Sequence, residues 1–255
     1  MTEQDVKIPI AESQYIYGVP RGSYKDPLII LCHGYGGWMH EMLLYNGARH
    51  FDKHKFSTLR LSMYGGGESS RDIAKSDLMT HQADIDSVVS YAREQGASWV
   101  GVVGHSFSGL AIVYSKEQNF NAAALWDPTH TDGYKTDIAI KDFKDNYEYV
   151  ESQDAYVSGL GGGYVYAKTI FENDYLSSDQ AAAKFTVPSI VVNASWSKDQ
   201  QEYGRRYAAT IAAETEHVVI PDSSHPFTED GAAAKLFDET AKFFKRQVSL
   251  SEKQT

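Results

Sequence analysis

Ser106 lies in a segment that is typical of a catalytic nucleophile. Residues 104–108, Gly-His-Ser-Phe-Ser, follow the apolar run 99–103 and precede residues 109–114, which have helical length and apolar character. A buried strand, a tight turn and a helix in this order lift a serine oxygen clear of the backbone. The second glycine of the G-x-S-x-G pattern is replaced by Ser108, and Gly109 follows it. The pattern predicts a nucleophile at Ser106.

His225 is the histidine best placed to act as a base. A serine hydroxyl needs a base that takes its proton during attack. Residues 222–227 follow the last predicted strand and precede the last predicted helix, so their loop reaches the sheet edge that holds Ser106. His105 adjoins the serine, and neighbouring side chains on a tight turn point apart. Four other histidines fall in predicted helices and one begins a strand: His40, His50, His54, His81 and His217.

Two aspartates compete to orient the imidazole of His225. A carboxylate in this role holds the ring in one tautomer and stabilises its charged form. Asp199 follows the strand before the histidine loop and gives the chain order serine, aspartate, histidine, although residues 195–197 lengthen its loop. Asp127 ends an earlier strand and is the rival. We predict Asp199 as the acid and keep Asp127 as the alternative.

Two backbone N–H groups are expected to hold the negative charge that develops on a substrate carbonyl. One is the N–H of Phe107, directly after the nucleophile. The second is predicted in residues 33–37, His-Gly-Tyr-Gly-Gly, which follow an apolar strand and whose glycines allow close approach to a ligand. Tyr35 is the predicted donor in this loop. Each such donor contributes about 10² to 10³ in rate.

The elements that position these residues alternate between strand and helix. Residues 6–10 and 14–18 predict a hairpin at a sheet edge. Strands and helices then alternate up to the last helix, predicted over 229–246. This alternation predicts an α/β fold with a mostly parallel central sheet and helices on both faces. The other predicted strands are 28–32, 57–63, 99–103, 122–127, 188–193 and 217–221, and the other helices are 39–51, 77–95, 109–114 and 200–213.

Residues 131–184 interrupt the alternation and predict an inserted cap. Residues 1–130 and 185–255 then form the core. The insertion holds seven of the 17 tyrosines and no arginine. Tyrosines could line the binding site of a planar acyl group, and packing of a small cap explains them about as well. Because arginine is the preferred clamp for phosphate and carboxylate groups, its absence favours a neutral ester.

Four motifs in the same chain order resemble those of the α/β-hydrolase superfamily. They are His33-Gly34, the glycine-rich turn at residues 65–69, Gly104-His105-Ser106 and His225-Pro226-Phe227. The resemblance extends over almost the whole chain and implies the α/β-hydrolase fold. The inserted segment and its join to the next strand, at residues 162–164 and 183–188, are loosely similar to bacterial cinnamoyl or feruloyl esterases.

Composition narrows the classes of partner. The chain has 255 residues with 34 acidic and 24 basic side chains, a formal charge of −10 that disfavours nucleic acid and anionic membranes. Its one cysteine excludes an intramolecular disulfide. We therefore predict a cytoplasmic protein with a small-molecule partner. The glycine runs 65–67 and 159–163 lack the residues of a nucleotide site, so neither a cofactor nor a metal is predicted.

These residues lead to a serine carboxylesterase as the first hypothesis. Ser106, His225 and Asp199 form its triad, and Tyr35 and Phe107 form its oxyanion hole. The alternatives are a ligand-binding protein with this fold and an incomplete triad, or a thioesterase, amidase or acyltransferase that uses the same residues.

Overall fold

A central sheet and the helices against it form most of the described chain. The computed structural model describes residues 3–11, 14–64, 71–135, 145–158 and 165–253. In chain order the strands are β1 (Val6–Ala11), β2 (Gln14–Arg21), β3 (Leu28–Cys32), β4 (Ser57–Ser62), β5 (Val100–His105), β6 (Ala122–Trp126), β7 (Tyr147–Val150), β8 (Ala155–Ser158), β9 (Val165–Ala167), β10 (Ser189–Ala194) and β11 (Thr215–Ile220).

Eight of these strands form the sheet, in the order β1-β2-β4-β3-β5-β6-β10-β11. The pairs β1-β2 and β2-β4 are antiparallel, and all later pairs are parallel. The predicted edge hairpin is therefore present. The predicted α/β class and mostly parallel sheet are confirmed.

Five of the described helices lie close to the predicted ones, with shifted ends, and three short helices within residues 131–184 were not predicted. In chain order they are α1 (Met42–Lys53), α2 (Leu78–Glu94), α3 (Phe107–Val113), α4 (Asp132–Lys135), α5 (Thr169–Glu172), α6 (Ser178–Ala182), α7 (Lys198–Thr210) and α8 (Ala232–Glu252). The first helix begins three residues later than predicted, after Glu41, whose extended ψ of 148° ends the preceding turn. His40, before α1, and His54, directly after it, thus lie outside a helix, which corrects their predicted positions.

Apolar side chains cover both faces of the sheet, as its buried parallel strands require. Along β3, Ile30 faces one cluster with side chains of α2 and α3, and Ile29 faces the other with side chains of α1 and α8. The alternation follows from the two-residue period of a strand. Helices therefore lie on both faces and hold the carboxyl ends of β3, β5 and β6 side by side.

The inserted segment contains a small sheet of its own. Strands β7, β8 and β9 pair antiparallel in that order. The Ala167 N–H of β9 donates to the Tyr35 hydroxyl at 3.2 Å, so this sheet contacts the loop that follows β3.

Two predicted features lie outside the described residues. They are the turn at 65–69 and the glycine run at 159–163. Among the helices that the structure describes, none combines the length and apolar character needed to cross a membrane.

Candidate active site

Ser106 sits on a strained turn between β5 and α3. Its φ of 54° and ψ of −117° fall where L-residues rarely occur. The backbone N–H of Ser106 donates to the Trp126 carbonyl at 2.9 Å, and the Ser106 carbonyl accepts from the Thr129 N–H at 3.1 Å. Bonds to the β6 end therefore hold the turn. Strain of this kind, of about 1 to 3 kcal/mol, is common at functional sites.

Gly104 and Gly109 allow the close packing that this turn needs. A Cβ on Gly104 would lie 2.6 Å from the Ser108 carbonyl oxygen, and one on Gly109 would lie 2.9 Å from the Pro128 Cβ. Ser108 occupies the position of the missing motif glycine. Its hydroxyl donates to the His33 carbonyl at 2.5 Å, so the substitution adds a bond between α3 and the loop after β3.

His225 and Asp127 form a direct pair. The His225 Nδ1–H donates to Asp127 Oδ2 at 2.6 Å, which leaves the lone pair on Nε2. Asp127 follows β6 with a φ of 42° and is fully buried. This geometry is what an orienting carboxylate requires.

Asp127 accepts further hydrogen bonds that keep it ionised. Trp196 Nε1 donates to Oδ2 at 2.9 Å, and Asn193 Nδ2 donates to Oδ1 at 2.9 Å. The Ala194 N–H also faces Oδ1, at 3.2 Å. Burial raises the pKa of Asp127, but the bonds from His225, Trp196 and Asn193 outweigh burial and lower the pKa below its usual value. Neither Trp196 nor Asn193 was predicted as part of the site.

Asp199 does not occupy the position predicted for the acid. It lies exposed in the first turn of α7, behind Ser197, whose hydroxyl accepts the Gln200 N–H. The predicted long loop after β10 is short, because helix α7 begins at Lys198. The geometry thus reverses the predicted order of the two aspartates and favours Asp127 beside His225.

His105 forms a hydrogen bond to the loop that contains His225. It is buried, and its Nε2–H donates to the His225 carbonyl at 3.0 Å. The two imidazole rings lie 4.7 Å apart. Burial lowers the pKa of His105 to about 4, so the ring is neutral and adds no charge beside His225. Its position next to Ser106 gave no sign of this contact in the sequence.

In the loop after β3, the Tyr35 N–H has no hydrogen-bond partner among the residues that the structure describes. The Gly36 N–H donates to the Tyr64 hydroxyl at 2.9 Å, and the Gly37 N–H donates to the Gly34 carbonyl at 3.0 Å. Among the hydrogen bonds of the described residues, none uses the N–H of Tyr35 or Phe107. The rings of these two residues lie edge to face with their centroids 5.2 Å apart, and both residues line a cavity that also contains Ser106.

His33 anchors the start of this loop. It donates from Nδ1 to the Gly34 carbonyl at 2.7 Å and accepts the Met63 N–H on Nε2 at 3.1 Å. Burial lowers the pKa of His33 to about 4, which agrees with a neutral ring in this tautomer. Gly34 lets the loop approach the turn, because a Cβ there would lie 3.2 Å from the Ser106 Cβ.

Two cavities meet at Ser106. The aromatic cavity has a volume of about 270 Å³ and the histidine cavity about 390 Å³. The aromatic cavity is lined by Tyr35, Ser106, Phe107, Thr129, Tyr166, Ile170 and Phe171. The histidine cavity is lined by residues 34–38, 41–43, 105, 106, 225, 226 and 228. A larger cavity of about 650 Å³, beside Tyr114 and Leu176, includes none of the predicted site residues.

Ser106 and His225 share the histidine cavity. The Ser106 Oγ lies 3.4 Å from Thr129 Oγ1, and none of the described hydrogen bonds joins it to His225. In free enzymes such bonds are often long and shorten only when substrate binds. The arrangement therefore brings a serine hydroxyl, an imidazole and a buried carboxylate together at one sheet edge.

One group of residues has metal-ligand geometry among those described. His50, His54 and Asp238 place ligand atoms within 4.8 Å of one another. The Lys245 ammonium lies 2.8 Å from His54 Nδ1, and its charge opposes a cation there. None of the three lines either cavity at Ser106.

The fold is similar to that of several solved structures. Est1E from Butyrivibrio proteoclasticus, solved with ferulic acid bound, has a TM-score of 0.76 and 17% identity, over 96% of this chain and 99% of its own. GrgF from Penicillium, an alpha/beta hydrolase, has a TM-score of 0.74 and 12% identity, over 98% and 100%. This chain has the α/β-hydrolase fold. Dienelactone hydrolase from Anabaena variabilis shares the fold at a TM-score of 0.68 and 13% identity, over 96% and 97%.

Sequence similarity to known proteins covers a smaller part of the chain than the similarity in fold does. No family model matches the chain. An Escherichia coli protein described as an uncharacterized 31.7 kDa protein in the traX-finO intergenic region is 32% identical over 106 residues. The match covers 40% of this chain and 37% of that protein. The similarity to the solved structures confirms, for the fold, the resemblance to α/β-hydrolases that the motifs indicate.

Proposed function

We propose that this chain is a serine hydrolase that cleaves carboxylic esters through an acyl-enzyme on Ser106. The pairing of His225 with buried Asp127, in a cavity that also contains Ser106, carries the proposal. Asp127 takes the role of the acid in place of Asp199. The likeness in fold to solved esterases and hydrolases supports this reaction class.

The proposed reaction has two halves. The Ser106 Oγ attacks the ester carbonyl while its proton moves to His225 Nε2, and the Tyr35 and Phe107 N–H groups bind the oxyanion. His225 then gives the proton to the leaving alcohol, and the acyl group remains on Ser106. Water attacks this acyl-enzyme with His225 again as base, which releases the acid and restores the serine.

The aromatic cavity is the proposed site of the acyl half. Tyr166 of the inserted segment stacks on Tyr35 with ring centroids 4.8 Å apart and planes 6° apart. Phe171 lines the same cavity. We propose that residues 131–184 cap the site and that these rings favour a planar, neutral acyl group. The ferulic acid bound to Est1E supports an aromatic acyl group of this kind.

A labelling experiment tests the proposal. A fluorophosphonate is expected to modify the folded protein once, on the peptide that contains Ser106, because the probe reacts with activated serines. Mass spectrometry locates the adduct, and heat-unfolded protein serves as the control. Hydrolysis of phenylpropionyl and acetyl esters of p-nitrophenol, followed by absorbance, then measures turnover. A folded protein that neither takes the label nor cleaves an ester contradicts the proposal and favours the ligand-binding alternative.

Loss of the Ser108 hydroxyl is expected to weaken the oxyanion hole. The hydroxyl holds the His33 carbonyl, two residues before Tyr35. We expect Ser108→Ala to lower kcat about fivefold at nearly constant KM, since one hydrogen bond contributes roughly 1 kcal/mol. Ser87→Ala is the matched control, because the exposed Ser87 hydroxyl donates only to the Ala83 carbonyl within α2. A lower melting temperature with unchanged kcat would show that Ser108 contributes to stability alone.

A further inference from the structure

The histidine cavity is the side of Ser106 on which the alcohol half of an ester must lie. If the proposed function holds, His225 delivers its proton to the leaving oxygen and must therefore face that oxygen. His225 lines the histidine cavity and does not line the aromatic cavity. The alcohol half then extends along this cavity, past Trp38 and Glu41.

Glu41 places a carboxyl group in this cavity. It immediately precedes α1, and its carbonyl accepts the Tyr45 N–H at 2.9 Å, which fixes its backbone. Its Oε2 lies so close to the loop after β3 that a Cβ on Gly37 would approach it to 2.5 Å. The carboxyl group thus lies against the loop that presents the Tyr35 N–H.

The surroundings of Glu41 leave its charge without a cationic partner in the cavity. The other titratable side chains among the described lining residues are Tyr35, His105 and His225, and none of the lining residues is a lysine or an arginine. Burial keeps the Tyr35 hydroxyl and the His105 ring neutral. Burial raises the pKa of Glu41 to about 7, and the Trp38 N–H lowers it in part. A ligand group that donates a hydrogen bond would favour the ionised form.

We propose that the Glu41 carboxylate binds a hydrogen-bond donor on the alcohol half of the substrate. The inference rests on the proposed ester hydrolysis and adds the class of alcohol to it. The donor is a second hydroxyl, as in a glycol or sugar, or a protonated amine. Trp38, whose side chain is 44% exposed, lines the same cavity and offers an aromatic face to either group.

Two pairs of isosteric esters test this proposal in the wild-type protein. All four share the phenylpropionyl group. The 2-hydroxyethyl ester is compared with the propyl ester, and the 2-(dimethylamino)ethyl ester with the 3-methylbutyl ester, at pH 7.5. Each kcat/KM is divided by the rate constant of that ester with hydroxide, which removes differences in intrinsic reactivity. We expect a preference of about tenfold or more for the donor-bearing ester in at least one pair, because hydrogen bonds to charged groups are the stronger ones. The pair that shows it identifies the source of the donor.

The Glu41→Gln variant links that preference to the carboxylate. Glutamine keeps the size of the side chain and one acceptor oxygen but loses the charge. The preference for the ammonium ester is expected to fall to about one, and that for the hydroxyl ester to fall in part. Glu94→Gln, at an exposed carboxylate at the end of α2, should keep the wild-type ratios.

The outcomes separate this inference from the proposed function. Failure to cleave both these four esters and the p-nitrophenyl esters contradicts ester hydrolysis itself. Cleavage of the p-nitrophenyl esters alone leaves the hydrolase and rejects the class of alcohol proposed here. Cleavage of all four with wild-type ratios near one leaves the hydrolase and rejects the role of Glu41. Ratios that survive in Glu41→Gln also reject it. Since the wild-type ratios need no variant, a misfolded Glu41→Gln protein does not remove the test.

Discussion

Alanine in place of Ser106 is expected to reduce ester hydrolysis to background, a loss of about 10⁶ in kcat. Losses of this size follow removal of the nucleophile from a well-studied serine protease with a complete triad. Without the Ser106 oxygen no acyl-enzyme forms, and His225 alone provides only weak base catalysis. Hydrolysis of p-nitrophenyl acetate measures the effect. The fluorophosphonate adduct should disappear in the same variant.

The Ser106→Ala variant is expected to fold normally. The bonds that hold the turn are made by the backbone of Ser106 to Trp126 and Thr129, and alanine keeps them. Its melting temperature should therefore stay near that of the wild type. Ser87→Ala provides the control for an unrelated serine. Activity that persists in folded Ser106→Ala protein contradicts the assignment of the nucleophile.

The architecture was predictable because each strand carries a local signal. Apolar runs such as those in β3 and β5 are long enough for buried strands and too short for helices. The alternation with helices then leaves few ways to arrange the sheet. Element ends were less predictable. The extended backbone of Glu41 precedes α1, and the Ser197 hydroxyl, which accepts the Gln200 N–H, caps the start of α7.

The position of the acid depends on contacts that the sequence does not display. Chain order favours Asp199, but the strand order places β6 between β5 and β10, so Asp127 lies beside the nucleophile strand. Asn193 of β10 and Trp196 of the loop after β10 then donate hydrogen bonds to the Asp127 carboxylate. A signal was present in the sequence, because Asp127 directly ends a buried strand. The polar partners that make a buried aspartate tolerable come from distant positions in the chain.

No local sequence pattern could predict the side-chain contacts of Tyr35. Its ring stacks on Tyr166, 131 positions later, and its hydroxyl accepts from Ala167. Such contacts depend on the path of the inserted segment, and the spacing of residues along the sequence does not indicate them. The glycines around Tyr35 predicted the loop, and the structure adds which N–H groups that loop already uses.

Asparagine in place of Asp127 is expected to lower kcat by about 10⁴, whereas Asp199→Asn should change it less than about twofold. The first figure is that for the same substitution in a well-studied triad. An amide at position 127 loses the charge that stabilises the imidazolium form of His225. Its NH₂ group also favours the tautomer that places the proton on Nε2, where the base must have a lone pair. Asp199 is exposed in the first turn of α7 and offers no such contact.

Steady-state kinetics with p-nitrophenyl acetate on both variants decides between the two aspartates. Asp127→Asn is also expected to lower stability, because Asp127 is fully buried and accepts from His225, Trp196 and Asn193. Circular dichroism and the melting temperature therefore accompany the kinetics. A Trp196→Phe variant removes one donor to Asp127 Oδ2 but keeps the carboxylate, so it should lose far less activity than Asp127→Asn. If activity falls strongly only in Asp199→Asn, then Asp199 orients His225 during catalysis, and the pair seen between His225 and Asp127 does not persist in the working enzyme.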